Sequence, residues 1–330
     1  MEKLDLSDVS FVGDGLVRAE CVLAHESGAL ACSDSFGNGG VAIVHPDGRT
    51  SRVQAHGCAV PLHPNGIALE PSGSVLLAQL GPSDGGIYRL YPDGNTEPVL
   101  LEVGGHAIPP TNFVLRDAFD RIWVTLSTRT HPRTTQFRPD ASDGVIILIE
   151  RNVARVVVDD VGFANEIVVD AERGLLFANE TFARRICCFS IGPDGSLRDR
   201  RVVARFGEGV FPDGLSLDVD GGLWVTSIVS NRLIHVDSSG HQTVVLEDCN
   251  DGEVRLVEAA FQDFRMGREH LSRSFGKVLG NISSLAFGGE DRRTGYLGSL
   301  HGDRIATIKL PVAGVKPTHW TSDISGLLNS

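Results

Sequence analysis

NGIALEPSGSVLLAQL (65–80), NEIVVDAERGLLFANE (165–180) and DGLSLDVDGGLWVTSI (213–228) follow one pattern. Each opens on Asn or Asp, runs through a short apolar stretch, turns at a glycine-containing tetrad and continues into a second apolar stretch. ECVLAHESGALACSDS (20–35), NFVLRDAFDRIWVTLS (112–127) and SSLAFGGEDRRTGYLGS (283–299) are looser copies. The leading polar residues fall at 20, 65, 112, 165, 213 and 283, at intervals of 45, 47, 53, 48 and 70. Short alternating runs with Gly, Asp or Pro turns are the mark of strands and hairpins, and repeats of this length built from them indicate propeller blades. The spacing predicts an all-β, six-bladed β-propeller with about four strands per blade. HPDG (45–48), YPDG (91–94) and GPDG (192–195) follow the third apolar run of their copies, where Asp-Gly suits a tight hairpin. VSFV (9–12) is placed to add the outer strand of the last blade and close the circle.

Only the last interval is long. It holds EVRLVEAAFQDFRMGREHLSRSF (253–275), where Val254, Val257, Phe261 and Phe264 recur at helical spacing. This predicts one amphipathic helix inserted between the fifth and sixth blades, serving as a lid over the mouth or packed on the rim. The whole of 1–330 reads as one domain, because large all-β folds often run to this length.

With 42% hydrophobic and 22% charged residues the chain has material for a core. A net charge of −12, with no basic stripe interleaved with aromatics, argues against nucleic acid as a partner. The start, MEKLDLSDVS, has no apolar run after its lysine, and no stretch approaches a membrane span, so a cytoplasmic location and no membrane partner are expected. Cys21, Cys32, Cys58, Cys187, Cys188 and Cys249 have no CxxC spacing and read as reduced.

In a propeller the innermost strands line a central channel, so the first residues of six equivalent strands converge on one mouth. Those residues are Glu20, Asn65, Asn112, Asn165, Asp213 and Ser283. Oxygen donors including two carboxylates, with no sulfur or imidazole, suit a hard divalent cation such as Ca²⁺ or Mg²⁺. Taken singly, Asn65-Gly66 and Asp213-Gly214 are ordinary turn dipeptides; the shared offset makes them a candidate metal site. Loops on the same face bring Asn179, Glu180, Ser227, His301 and the segment 127–144 around the opening. Arg129, Arg133 and Arg138 of that segment offer paired N–H donors to a carboxylate or phosphate. No GxSxG elbow, Walker loop, HExxH or GxGxxG is present.

FANEIVVD with ANETFARRI, FPDGLSLDVDGGLWVTS and LAFGGEDRRTGYLGS carry a further signal. They resemble the gluconolactonase and senescence-marker-protein family of six-bladed propellers, over almost the whole length, with diisopropylfluorophosphatase a more distant relative. The resemblance implies one divalent cation, usually Ca²⁺ and sometimes Zn²⁺ or another metal such as Mg²⁺ or Mn²⁺, held here by Glu20, Asn112, Asn165 and Asp213. It implies a substrate or water contact at Asn65. Glu20 is followed by CVLAH, and Asn112 by Phe113-Val114, where the family has other residues. Pro110 and Thr111 stand where its sugar-acid lactonases carry an arginine.

The expected activity is metal-dependent hydrolysis of a lactone or similar cyclic ester, with a small-molecule substrate. The cation polarises the carbonyl, and Asp213 acts as general base or attacks directly. Asn65, Glu180, Arg129 and His301 are the candidate substrate contacts, Glu180 also as a reserve acid or base. Phosphotriester hydrolysis at the same site, or a non-catalytic propeller with a structural cation, are the alternatives.

Overall fold

The computed structural model describes residues 1–272 and 276–330. Six four-stranded antiparallel sheets succeed one another along the chain. Their innermost strands are Val22–Ala24, Pro64–Leu69, Phe113–Arg116, Ala164–Asp170, Val210–Leu217 and Ile282–Gly288. Each lies at an edge of its sheet, and the next strands of the chain add outward in order. The three PDG sequences form the turns between third and fourth strands, as in the bond from Gly48 N to His45 O (2.9 Å). Blade six is completed from the other end of the chain: Ser10–Val12 pairs with Ile305–Lys309, Ser10 opposite Thr307. That pairing fastens the circle and covers a sheet edge.

Adjacent blades bury apolar faces against each other. Between blades two and three, Leu76, Ala78 and Ile87 pack with Val114, Val124 and Ile147. The turns leaving the inner strands repeat a polar device. Asp117 Oδ2 accepts from Trp123 Nε1 (2.8 Å), and Asp218 Oδ2 from Trp224 Nε1 (2.9 Å). Each indole is wholly buried, and its N–H is satisfied by the turn six residues before it. The segment 313–323 crosses under the channel, bonding to blade five (Val219 N to Ala313 O, 3.0 Å), blade three (Thr318 Oγ1 to Arg116 O, 2.9 Å) and blade two (Asp323 N to Pro71 O, 3.0 Å).

The inserted helix is α1 (Asp251–Gln262). It is shorter than the 253–275 stretch predicts, and 273–275 lies outside the described residues. Phe264 adopts the left-handed conformation (φ +57°), and Arg265 N reaches back to Ala260 O (2.7 Å) while Phe264 N bonds Phe261 O (3.1 Å). This is a Schellman stop, which turns Phe264 off the apolar face and leaves it exposed. Val257 and Phe261 are buried on the rim against Phe182 and Phe211. Glu258 pairs with Arg184 (2.5 Å), whose guanidinium lies 4.4 Å from the Phe211 ring centre and 4.3 Å from that of Phe261. At the other end Asn250 Oδ1 accepts from Gly252 N and Glu253 N. Asn250→Ala is expected to cost about 1 kcal/mol. Denaturant titration measures the loss, and unchanged amide exchange in the first turn of α1 would show that the cap is not used.

Candidate functional site

The innermost strands begin irregularly, and that irregularity makes the site. The pairing slips between Pro64 and Ile67, Ala164 and Ile167, Pro212 and Leu215, and Ile282 and Ser284. Bulges re-aim side chains, and here they carry Asn65, Asn165, Asp213 and Ser283. Neighbouring inner strands come so close at this level that a Cβ on Gly66 would sit 2.5 Å from Phe113 Cδ2, and one on Gly214 2.5 Å from Ser283 O. Glycine follows Asn65 and Asp213 because the backbone approach leaves no room for a side chain.

All six leading residues are buried, and hydrogen bonds link the three asparagines in sequence and, separately, Ser283 to Glu20. Asn65 Nδ2 donates to Asn112 Oδ1 (3.0 Å), and Asn112 Nδ2 donates to Asn165 Oδ1 (2.5 Å). Asn165 Nδ2 reaches Thr181 Oγ1 (3.0 Å), which donates to Pro212 O beside Asp213 (2.8 Å). Ser283 Oγ donates to Glu20 O (2.9 Å), linking blade six to blade one. Asn179 lies behind the ring, where its amide donates to Asp213 O and Gly214 O (2.9 Å each) and fixes blade five against blade four.

Three charged groups at the mouth have no counterpart in the other sequence copies. Arg18 Nη2 stands 2.5 Å from Glu20 Oε2, and its Nη1 donates to Asn65 Oδ1 (2.9 Å). Arg133, from the long blade-three segment, donates to Ser127 Oγ (3.2 Å) and lies over the Phe163 ring. Burial lowers its guanidinium to about 10 against the opposing pull of Glu20. Glu166 follows Asn165 where Asn65 and Asp213 are followed by glycine, and its Oε2 accepts from Leu215 N (2.8 Å). Burial pushes Glu166 well up, and the Asp213 and Glu20 carboxylates add to that. Beneath it the channel widens into a cavity of about 580 Å³, lined by Cys21, Phe113, Glu166, Leu215 and Ser284 and bounded below by 315–319.

Asp213 is itself pushed well above the ordinary carboxylate range, by burial first and by Glu20 second; Arg18, a hydrogen bond from Asn165, and Arg133 oppose this. A second carboxylate in the same buried ring disfavours the charged form of Asp213. Glu20 Oε2 is buried and is held by Arg18 Nη2 at 2.5 Å as an ion pair without hydrogen-bond alignment. An oxygen-only donor set with two buried carboxylates fits a hard divalent cation. Among the described residues no three His, Cys, Asp or Glu side chains converge as metal ligands, so such an ion would rest on two carboxylates and neutral amides.

The candidate contacts outside the ring are dispersed. Glu180 is fully buried in an ion-pair network, with Arg185 (2.6 Å), Arg200 (2.7 Å) and Gly162 N (2.7 Å) on its carboxylate. Arg129 is half exposed, 3.8 Å from Asp159, beside the hairpin that pairs Glu102–Val103 with His106–Ala107. His301 Nε2 bonds Leu271 O (2.7 Å) at the edge of blade six. The structure gathers Glu20, Asn65, Asn112, Asn165 and Asp213 and adds Arg18, Arg133 and Glu166. Glu166 had a readable signal as the one charged residue at its offset, where the other copies have Cys21, Gly66, Phe113, Gly214 and Ser284, whereas Arg18 sits in a connection that no other copy repeats.

A closed six-bladed propeller with a polar, carboxylate-bearing ring at one mouth of its channel defines the class of protein. Residues 18–247 match the SMP-30/gluconolactonase/LRE-like family, and the chain belongs to that family. Similar folds include a gluconolactonase of Xanthomonas campestris (TM-score 0.66, 18% identity, 92% of this chain and 89% of that one). A calcium-binding regucalcin of Agrobacterium tumefaciens strain C58 aligns with TM-score 0.65 and 13% identity over 92% of this chain and 96% of its own. Among curated proteins, YvrE of Bacillus subtilis (strain 168), whose name assigns it to the sugar lactone lactonases, is 27% identical over 124 residues, 37% of this chain. That match spans 40% of YvrE's length.

Proposed function

We propose that this protein is a metal-dependent hydrolase that opens a lactone or similar cyclic ester at the ring mouth. Membership of the family supports lactone hydrolysis in general. The observation that carries the specific reading is the pair of buried carboxylates, Glu20 and Asp213, set among amide oxygens at the end of the channel.

Glu20, Asn112, Asn165 and Asp213 would hold the cation, Ca²⁺ first and Mg²⁺, Mn²⁺ or Zn²⁺ as substitutes. Bound there, it supplies Lewis-acid polarisation of the substrate carbonyl and stabilises developing negative charge. The chain's own groups do the rest. The Asn65–Asn112–Asn165 relay fixes the direction in which each amide oxygen faces. Asp213 takes a proton from the attacking water as its oxygen adds to the lactone carbonyl carbon; the ring C–O bond then breaks, and the released alkoxide takes that proton back from Asp213 to give the hydroxy acid. Asn65 and Arg133 would contact the substrate, with Arg133 steadied over the Phe163 ring of the buried cluster of Phe137, Phe163, Phe182 and Phe261.

Acid release followed with a pH indicator across aliphatic, aromatic and sugar lactones tests this. On chelated protein, hydrolysis of at least one lactone is expected to return with one of the four metals, and chelation is expected to lower the melting temperature. Silence across the panel with every metal overturns the lactonase reading, and phosphotriester turnover under the same conditions would replace it.

A further inference from the structure

Arg18 is a mouth residue that neither the repeat nor the proposed chemistry accounts for. It is not a glycine, yet it is held at φ +57°, a conformation that costs an ordinary residue on the order of 1 kcal/mol or more. Its own carbonyl accepts from Glu20 N (2.8 Å), so the chain folds tightly enough to bring the side chain back over its neighbour. The guanidinium then takes two oxygens of the ring at once, Glu20 Oε2 at 2.5 Å and Asn65 Oδ1 at 2.9 Å.

The second contact has a longer reach. With its oxygen taken by Arg18, Asn65 offers its NH₂ to Asn112 Oδ1, and Asn112 in turn offers its NH₂ to Asn165 Oδ1. Each amide oxygen of the relay therefore already accepts a hydrogen bond, and the orientation of all three amides begins at one positive charge. Ion binding by Asn112 and Asn165 needs those same oxygens, and binding by Glu20 needs the carboxylate that Arg18 covers.

We propose that Arg18 is an internal counterion of the ring, competing with a divalent cation for Glu20 and for the amide relay that starts at Asn65. This rests on the metal-site reading above. Arg18 neutralises one of the two buried carboxylates while the ring holds no ion, and it must give up Glu20 when an ion binds. By linkage, whatever Arg18 contributes to the ion-free ring is subtracted from the affinity for the ion.

Calorimetric titration of chelated protein with Ca²⁺ and with Mn²⁺, on the wild type, Arg18→Met and Arg18→Gln, tests the competition. Glutamine keeps a donor for Asn65 Oδ1 while removing the charge, so it guards against a variant that fails to fold. Both substitutions are expected to tighten cation binding at least about tenfold, the scale of a typical coupling between two sites. In chelator, Arg18→Met is expected to melt below the wild type, because Glu20 loses its counterion, and Ca²⁺ is expected to reverse that order. A folded Arg18→Gln protein that binds Ca²⁺ with wild-type or weaker affinity overturns the proposal and leaves the metal site standing. Absence of binding to all three proteins overturns both.

Discussion

Asp213→Asn is expected to abolish lactone hydrolysis and, in chelator, to raise the melting temperature. Both follow from where the carboxylate sits. It is buried, near the Glu20 carboxylate, and burial and that neighbour together push it well above the ordinary range. Asparagine has nearly the same shape, so it keeps the local packing while removing the charge that the ion-free ring tolerates poorly. The proposed chemistry needs that charge twice, to hold the ion and to take a proton from water. Losing it should lower kcat by at least about 10³-fold, beyond the loss from a single oxyanion donor. In saturating Ca²⁺ the order of stability should invert, because the wild type gains ion-binding energy that the variant cannot. Melting curves and lactone assays on the same preparations check both halves. Near-wild-type turnover would remove Asp213 from the mechanism, and a variant less stable than wild type in chelator would show that the carboxylate helps hold the ion-free ring together. Sites that give up stability for function show this pairing of gain and loss.

The fold and the ring were legible in the sequence for one reason: strand alternation repeats at a nearly constant interval, and the residue opening each repeat has the same place in every blade. A propeller turns equal sequence offset into equal spatial position, so Glu20, Asn65, Asn112, Asn165, Asp213 and Ser283 were bound to meet. Closure by Ser10–Val12 was legible from the unpaired strand before the first copy. Residues outside the repeated frame were not. Arg18 lies in the connection into blade one, and its direction depends on a single left-handed backbone angle that periodicity does not encode. Arg133 and Arg129 share one loop, yet Arg133 lies over Phe163 while Arg129 faces Asp159, a difference set by how 127–144 folds. The end of α1 was misplaced because Phe264 continues the apolar spacing, whereas the chain stops the helix with a motif in which glycine is the usual residue.

Glu180 stands at the height of the ring yet is enclosed in an ion-pair network, and Glu180→Ala is expected to be the most destabilising of these substitutions. The four residues TFAR (181–184) put Glu180 directly opposite Arg185 across the hairpin, the geometry in which opposite charges support a sheet. Arg200 of the outer strand and Gly162 N take the remaining lone pairs. Alanine would leave two guanidinium groups and a buried N–H without their acceptor. Breaking a buried ion pair costs about 3–5 kcal/mol, and the lower end applies because both arginines reach solvent. Burial alone would raise this carboxyl, but hydrogen bonds from Arg185, Cys187 and Arg200 together hold it below its ordinary value. A carboxyl depressed on folding stabilises the protein above its unfolded pKa, and that contribution fades as pH falls through the folded value. The gap in unfolding midpoint between wild type and Glu180→Ala should therefore be full at neutral pH and close in acid. If Glu180 is scaffold, the folded fraction of the variant keeps wild-type kcat and KM. A stable variant with lost kcat would instead return Glu180 to the role of acid or base at the mouth.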